Sequence, residues 1–300
     1  MIEITVSRKN SIVVDSPVLF AAGVVGFDGT PYRKILALDK FGALVTTPVT
    51  LTPRFPANGP RVVPLTSGLL LHTGLPNPGV RRTVQEYEAS WKRSILPIIM
   101  HLVATSADDV EQMARVVDGC PEIDGIEIGL HDQVTIREMR AIISAAKNAS
   151  DLPILARLPL YSSLTLAEPA QDSGIDALVI AAPPRGTERD QQAGRLVGGR
   201  LYGPWLKAQT LRIVGRVVQY TEVPIIASGG IHSADDARDF ITAGATAVQL
   251  DSIVWINPKE AEVIARNLGG SELTRTSGAL ADEWQPGMST TQRMRQQAPP

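Results

Sequence analysis

Three hundred residues with 29 Lys and Arg against 31 Asp and Glu give a formal net charge of −2 and no basic run, which argues against nucleic acid as a main partner. Hydrophobic residues make up 44 % and charged residues 20 %, an ordinary globular balance, and neither a signal-peptide core nor an apolar run of transmembrane length occurs, so no membrane role is expected. The single cysteine, Cys120, excludes an internal disulfide framework and fits a reducing, cytoplasmic location.

In chain order, residues 3–6 and 12–14 are short β-like runs around Ser7-Arg8-Lys9-Asn10, a hairpin expected to close one end of something larger. Short apolar runs follow at 18–22, 43–46, 97–103, 125–130, 153–158, 177–181, 224–227 and 247–250. Most are almost continuously apolar, as strands covered on both faces must be. Helical patterns fall between them at 106–117, 135–149, 164–173, 204–220 and from the N-cap Ser233 onward. This alternation predicts an α/β fold, a single (β/α)8 TIM barrel over residues 1–268, with an open doubly wound sheet as the alternative. Two connections are too long to be simple links. Residues 50–87 are proline-rich, with strand-like 61–65 and 68–72. Residues 183–203 are polar and glycine-rich, with Arg185, Arg189, Arg195 and Arg200, and read either as a solvated surface or as a lid over an anionic ligand. The apolar period fades past Asn267, and 269–300 is expected to be a polar, mobile tail or an arm onto a partner subunit.

Residues 223–253 carry the clearest chemistry. An apolar run ends in Ser228-Gly229-Gly230, a helix starts with Asp235 and Asp236 in its first turn, Gly244 stops it, and a second run leads to Asp251-Ser252. Glycines let backbone N–H groups approach a ligand, and a helix start carries partial positive charge, so a phosphate site is expected there; a plain turn is the alternative. In a barrel the strand ends ring one mouth, here Ala22-Gly23, Thr46-Thr47, His101, Glu127 to Asp132, Arg157 and Ala181-Ala182. Alternation puts Glu127, Gly129 and His131 on one face. A glutamate facing the barrel axis needs a partner, and Arg157 on the next strand is the natural one. The pair either fills the barrel or offers a fixed positive charge to an anionic group or a reduced ring. His131-Asp132 is the acid–base candidate, since an imidazole takes and returns protons near neutral pH; a structural or surface role is the alternative. His72 faces the mouth if the long second connection folds over it, His101 reads as a satisfied core residue, and His232 as a contact at the ligand's rim. No H-x-E-x-H or C-x-x-C spacing occurs, so no metal site is expected.

Several segments then occur in order at a family's spacing: Ala21-Ala22-Gly23, Gly42 to Thr46 with Thr50 to Arg54, Gly74-Leu75-Pro76-Asn77-Pro78-Gly79, Gly203-Pro204 with Lys207, residues 226–231, and Gly244-Ala245 with Ala247-Val248-Gln249. On these the chain resembles the dihydroorotate dehydrogenases, specifically the soluble class 1 type, over residues 14–258. The resemblance implies an FMN-binding barrel of pyrimidine metabolism, a homodimer by default and, in some members, an electron-transfer partner subunit. It places FMN against Ala22, Gly23, Gly203, Gly229, Gly230 and Ser252, with Thr46, Thr47, Arg157, Ser228 and Asp251 around it. The departures matter as much. The family's lysine after Val-Thr is Thr47, and its second flavin-facing lysine is Arg157, which keeps the charge. The asparagines that grip the orotate ring fall at Leu71, Gly129, Val134 and Ala182, and the catalytic cysteine at Asp132. Asp251 replaces a glycine beside the flavin phosphate and must point away or weaken that site. Each unmatched polar group costs about 1–3 kcal/mol, so the substrate pocket around Leu71, His72, Gly129 and Ala182 is expected to reject dihydroorotate. The expected function is hydride transfer between another small cyclic substrate and flavin, with Asp132 or His131 moving the proton and Arg157 stabilising negative charge. The alternatives are a catalytically degenerate barrel serving as a structural or regulatory partner, and a non-redox lyase or isomerase of a phosphate ligand.

Overall fold

The computed structural model describes residues 1–6 and 10–268; the expected tail at 269–300 lies outside the described residues. Eight apolar runs form the parallel strands β1 (Val18–Phe20), β2 (Leu44–Val45), β3 (Ile98–Val103), β4 (Gly125–Gly129), β5 (Ile154–Pro159), β6 (Ala177–Ala182), β7 (Ile225–Ser228) and β8 (Ala247–Leu250). They close in the order β6-β7-β8-β1-β2-β3-β4-β5, a (β/α)8 barrel as expected. The helices are α1 (Val80–Trp91), α2 (Ala107–Asp118), α3 (Ile136–Ala149), α4 (Ser163–Asp172), α5 (Lys207–Val217), α6 (Ala234–Thr242), α7 (Ser252–Ile256) and α8 (Pro258–Leu268). The start signals read at the two serines are real caps, and the structure adds a third at Thr135. Ser106 and Ser233 accept from Asp109 and Asp236 backbone N–H, and Thr135 forms a capping box with Glu138.

Strand alternation sorts two cores. Outward residues such as Phe20, Leu44, Ile98, Ile126 and Leu178 pack under the helices. Inward residues Leu19, Val45, Ile99, Leu155, Val179 and Ile226 fill the barrel. Ile2–Glu3 pairs antiparallel with Val13–Val14, and Ile4, Ile12 and Val14 join that inner cluster, so the hairpin plugs the end opposite the mouth. Cys120 lies at that end, buried, with burial pushing its thiol up to about 11.

In the first long connection the strand-like runs are strands, as expected; the second differs from its sequence reading. Arg185–Asp190 and Arg195–Tyr202 are antiparallel strands rather than a loop, and they join Gly68–Leu71 and Val62–Leu65 in a four-stranded sheet beside the mouth. Glycine makes this pairing possible, because a Cβ at Gly199 would overlap the Leu71 carbonyl oxygen. Val63, Leu70 and Val197 give the sheet a small core of its own. Helix α1 begins inside what reads as a connection and runs past its end. Its N-cap, Gly79 at φ +83°, offers no side-chain cap and its first turn has no acid, so no start signal announces it.

Candidate active site

Two residues beyond the apolar inner layer, the same inward positions turn polar. Ile99 gives way to His101, Leu155 to Arg157, Ile226 to Ser228 and Ala247 to Gln249, with Glu127 on β4. Barrel closure joins them. His101 Nδ1 lies 2.7 Å from Glu127 Oε1, and Gln249 Nε2 donates to Glu127 Oε2 at 2.6 Å. Arg157 Nη1 donates to Gln249 Oε1 at 2.9 Å and stands 3.4 Å from Glu127 Oε1, while Nη2 donates to Ser228 Oγ at 3.0 Å. Glu127 is fully buried, and burial raises its pKa; the bonds from His101 and Gln249 and the Arg157 charge outweigh that and hold it at about 2. The sequence-expected Glu127–Arg157 contact is present, but Arg157's shorter bonds go to Gln249 and Ser228.

Above this layer opens a cavity of about 420 Å³, lined among others by Ala22, His101, Gly129, Arg157, Ala182 and Tyr202. The volume falls in the range of small-molecule sites. Its rim is cationic, with Arg54, Arg185 and Arg200. Asp132 sits between two of these: Oδ1 is 2.6 Å from Arg200 Nη1 and Oδ2 is 3.0 Å from Arg185 Nε. His131 follows the end of β4, lines the cavity, and turns Nε2 to Glu138 Oε1 at 3.0 Å. Tyr202 packs edge-on against Trp255, and burial pushes its phenol up to about 12.

The corner after β7 and β8 is built differently. Asp251 is 2 % exposed and caps α7, its Oδ1 accepting from Ser252 N and from Ser252 Oγ at 3.0 Å. Its Oδ2 is buried without a hydrogen-bond partner. Burial raises the Asp251 pKa, and the Ser252 bonds and the charges of His232 and Arg157 only partly offset it. His232, whose Nε2 lies 3.1 Å from Ser252 Oγ, is pushed down by burial, so both groups move toward neutrality. Gly230 has φ +81°, and a Cβ there would overlap the Lys207 backbone nitrogen at the start of α5. The glycine pair thus serves a close backbone approach as well as any ligand.

These observations test the fit of a flavin. Ala22, Gly129, Ala182 and Tyr202 leave room for a flat ring on the cavity side, with Arg157 beneath as fixed positive charge. At the other end, Asp251 occupies the Ser252 amide that a phosphate would use, so seating a phosphate requires that carboxylate to swing away. The cavity side fits the ring; Gly229, Gly230, Asp251 and Ser252 are buried and lie outside that lining, so the phosphate end fits only once the corner opens.

Of the residues singled out in the sequence, His131, Gly129, Arg157, Ala22 and Ala182 line one cavity. Leu71 and His72 sit on the neighbouring sheet, outside that lining, where His72 N donates to the Arg61 carbonyl oxygen. Gly23 N donates to the Thr46 carbonyl, Thr47 N donates to the Gly26 carbonyl, and Gly203 packs on Ser67 and Trp205. Thr46 Oγ1 accepts from His101 N at 3.2 Å. Sequence reasoning missed Gln249 and the outward reach of His101. The available signal was an inward polar position two residues past an apolar one, on β3, β5, β7 and β8. Among the described residues no cluster of three or more His, Cys, Asp or Glu is placed to hold a metal, and no helix is long and apolar enough to cross a membrane.

Comparison with known proteins agrees with this architecture. The family profile described as Dihydroorotate dehydrogenase matches residues 10–271. The chain is 32 % identical over 273 residues to the "Dihydroorotate dehydrogenase B (NAD(+)), catalytic subunit" of Desulforudis audaxviator, covering 86 % of this chain and 89 % of that protein. Proteins of the same name from Geotalea uraniireducens and Porphyromonas gingivalis are each 29 % identical, over 90 % and 94 % of this chain and 93 % and 99 % of their own lengths. The chain belongs to the dihydroorotate dehydrogenase family.

Proposed function

We propose that this chain is an FMN-dependent oxidoreductase of the dihydroorotate dehydrogenase type whose substrate is a small cyclic anion other than dihydroorotate. One observation carries the reading: five polar side chains fill the top of an otherwise apolar barrel and open onto an arginine-rimmed cavity. Replacing a buried ion pair by packed apolar groups is often neutral or stabilising, by about 1–4 kcal/mol. Packed apolar groups would serve a purely structural barrel as well or better, which counts against the degenerate alternative.

When bound, a flavin supplies two-electron acceptance at this mouth. The chain's own residues do the rest. Arg157, fixed by Gln249 and Ser228, holds positive charge where negative charge develops. Arg54, Arg185 and Arg200 attract and orient the anion, with Asp132 setting the position of the last two. Ala22, Pro48 and Leu75 exclude water from the apolar wall. The amide that would hold the phosphate is shared with Asp251, so FMN binding is weakened at that end. By analogy with relatives named as catalytic subunits, a partner subunit carrying electrons away completes the turnover; a homodimer in the cytoplasm is the default that the family resemblance implies. Asp251 is also the observation that favours the structural or regulatory alternative, because its carboxylate blocks the corner that a phosphate would need.

The test is the visible spectrum of the purified protein with FMN added. A bound, perturbed flavin spectrum is expected, and anaerobic dihydroorotate should leave it oxidised. Protein that stays colourless with excess FMN contradicts the flavin, and prompt bleaching by dihydroorotate contradicts the rebuilt pocket.

A further inference from the structure

His101 is buried, yet its ring is arranged for more than filling space. Glu127 is held ionised and therefore only accepts, so the nitrogen facing it at 2.7 Å, Nδ1, carries the hydrogen. In the neutral ring the lone pair then resides on Nε2. That atom hydrogen-bonds to no described residue, and His101 is part of the cavity lining. Gly129, the last residue of β4, leaves the space the ring occupies: a Cβ there would overlap Nε2. Its φ is not among the positive ones, so the missing side chain serves the imidazole rather than the backbone. The two acid–base groups expected from sequence are otherwise engaged. Both oxygens of Asp132 are in ion pairs, and His131 Nε2 is bonded to Glu138.

We propose that His101, aligned by Glu127 across the space left by Gly129, is the proton-transfer group of this mouth, acting on an anionic ligand drawn in by Arg54, Arg185 and Arg200. Nε2 takes the proton from an acidic position of the ligand. The ligand's bond to that hydrogen breaks, an Nε2–H bond forms, and the bonding pair stays on the ligand. The imidazolium that results is stabilised through Nδ1–H by the Glu127 carboxylate, the division of labour known from aligned base–carboxylate pairs. Arg157, 3.4 Å from the same carboxylate oxygen, keeps Glu127 ionised throughout. This rests on the reading that the mouth is the reaction site, but not on flavin being bound.

Two readouts test it. In the wild-type protein without flavin, long-range 1H–15N NMR of the histidines should show His101 with hydrogen on Nδ1 and a bare Nε2. Diethyl pyrocarbonate, followed by peptide mass spectrometry, should modify His101 despite its burial, and the Gly129→Ala variant should lose that tautomer signature. Hydrogen on Nε2, or a ring inert to the reagent, overturns the proposal whatever the spectrum with FMN shows. Once a panel of cyclic carboxylates yields one that bleaches the flavin, His101→Gln should slow the single-turnover rate by about 10²–10⁴-fold, the usual reach of general acid–base catalysis. His101→Asn, which keeps an N–H for Glu127, serves if the first variant does not fold. Slowing below about threefold in the folded variant contradicts the assignment.

Discussion

Two buried carboxylates, Glu127 and Asp251, stand at the same mouth and have opposite fates. Burial raises both, but Glu127 is met by His101, Gln249 and Arg157 and stays ionised with a pKa of about 2. Asp251 is hydrogen-bonded only by Ser252, on one oxygen; the His232 and Arg157 charges do not make up the difference, the other oxygen is unpartnered, and its pKa is left raised. The β3–β5 side keeps its charges and turns them toward a cavity, while the β7–β8 corner moves toward neutrality and closes on itself. The difference teaches that the number of directed partners, rather than burial, decides whether a charge survives inside a barrel.

The harshest way to break the comparison is Glu127→Ala. Removing one partner of a buried network strands the Arg157 charge, and a loss of about 3–5 kcal/mol in urea unfolding is expected. A cost below about 1 kcal/mol contradicts the network's role. The pH dependence sharpens the same point. Because folding lowers the Glu127 pKa from 4.5 to about 2, its contribution, about 3 kcal/mol by linkage, is fully present above pH 4.5 and is lost as pH falls toward 2. Wild type should lose its advantage over Glu127→Gln across that window. For Asp251 the sign reverses: a raised folded-state pKa gives stability that is present below pH 3.8 and lost as pH rises through the folded value. Asp251→Ala should therefore gain on wild type as pH increases from 3.8 toward neutrality, the reverse of the Glu127 pattern. A flat difference contradicts the buried, unpartnered oxygen.

Much of this architecture could be read before any coordinates. Eight largely apolar runs gave strands in the right places because parallel strands are covered on both faces, and Ser106 and Ser233 announced their helices by capping chemistry. Glu127 and Arg157 were legible as a pair because they lie on adjacent strands. Gln249 was not, because its bond to Glu127 spans 122 positions and exists only once the barrel closes. The arginine hairpin was illegible for a related reason: alternating Arg and Gly residues look like a loop until Leu69, Leu70 and Leu71 supply the partner strand. His101 looked like core because its neighbours in sequence are apolar; only Glu127 and Gly129, on the adjacent strand β4, show which nitrogen is bare.

Smaller effects are expected at the rim. Asp132→Asn breaks two ion pairs whose arginines remain solvent-exposed to different degrees, and its stability cost should stay below about 1 kcal/mol by thermal unfolding. A larger loss means that Asp132 holds the sheet onto the barrel.

The most direct measurement is a titration of FMN into the wild-type protein and into Asp251→Gly, followed by flavin absorbance. Both should bind one flavin per chain, with the variant tighter by about tenfold, the worth of freeing one charge-assisted amide bond. No spectral change in either protein would contradict the claim that this mouth clasps a flavin.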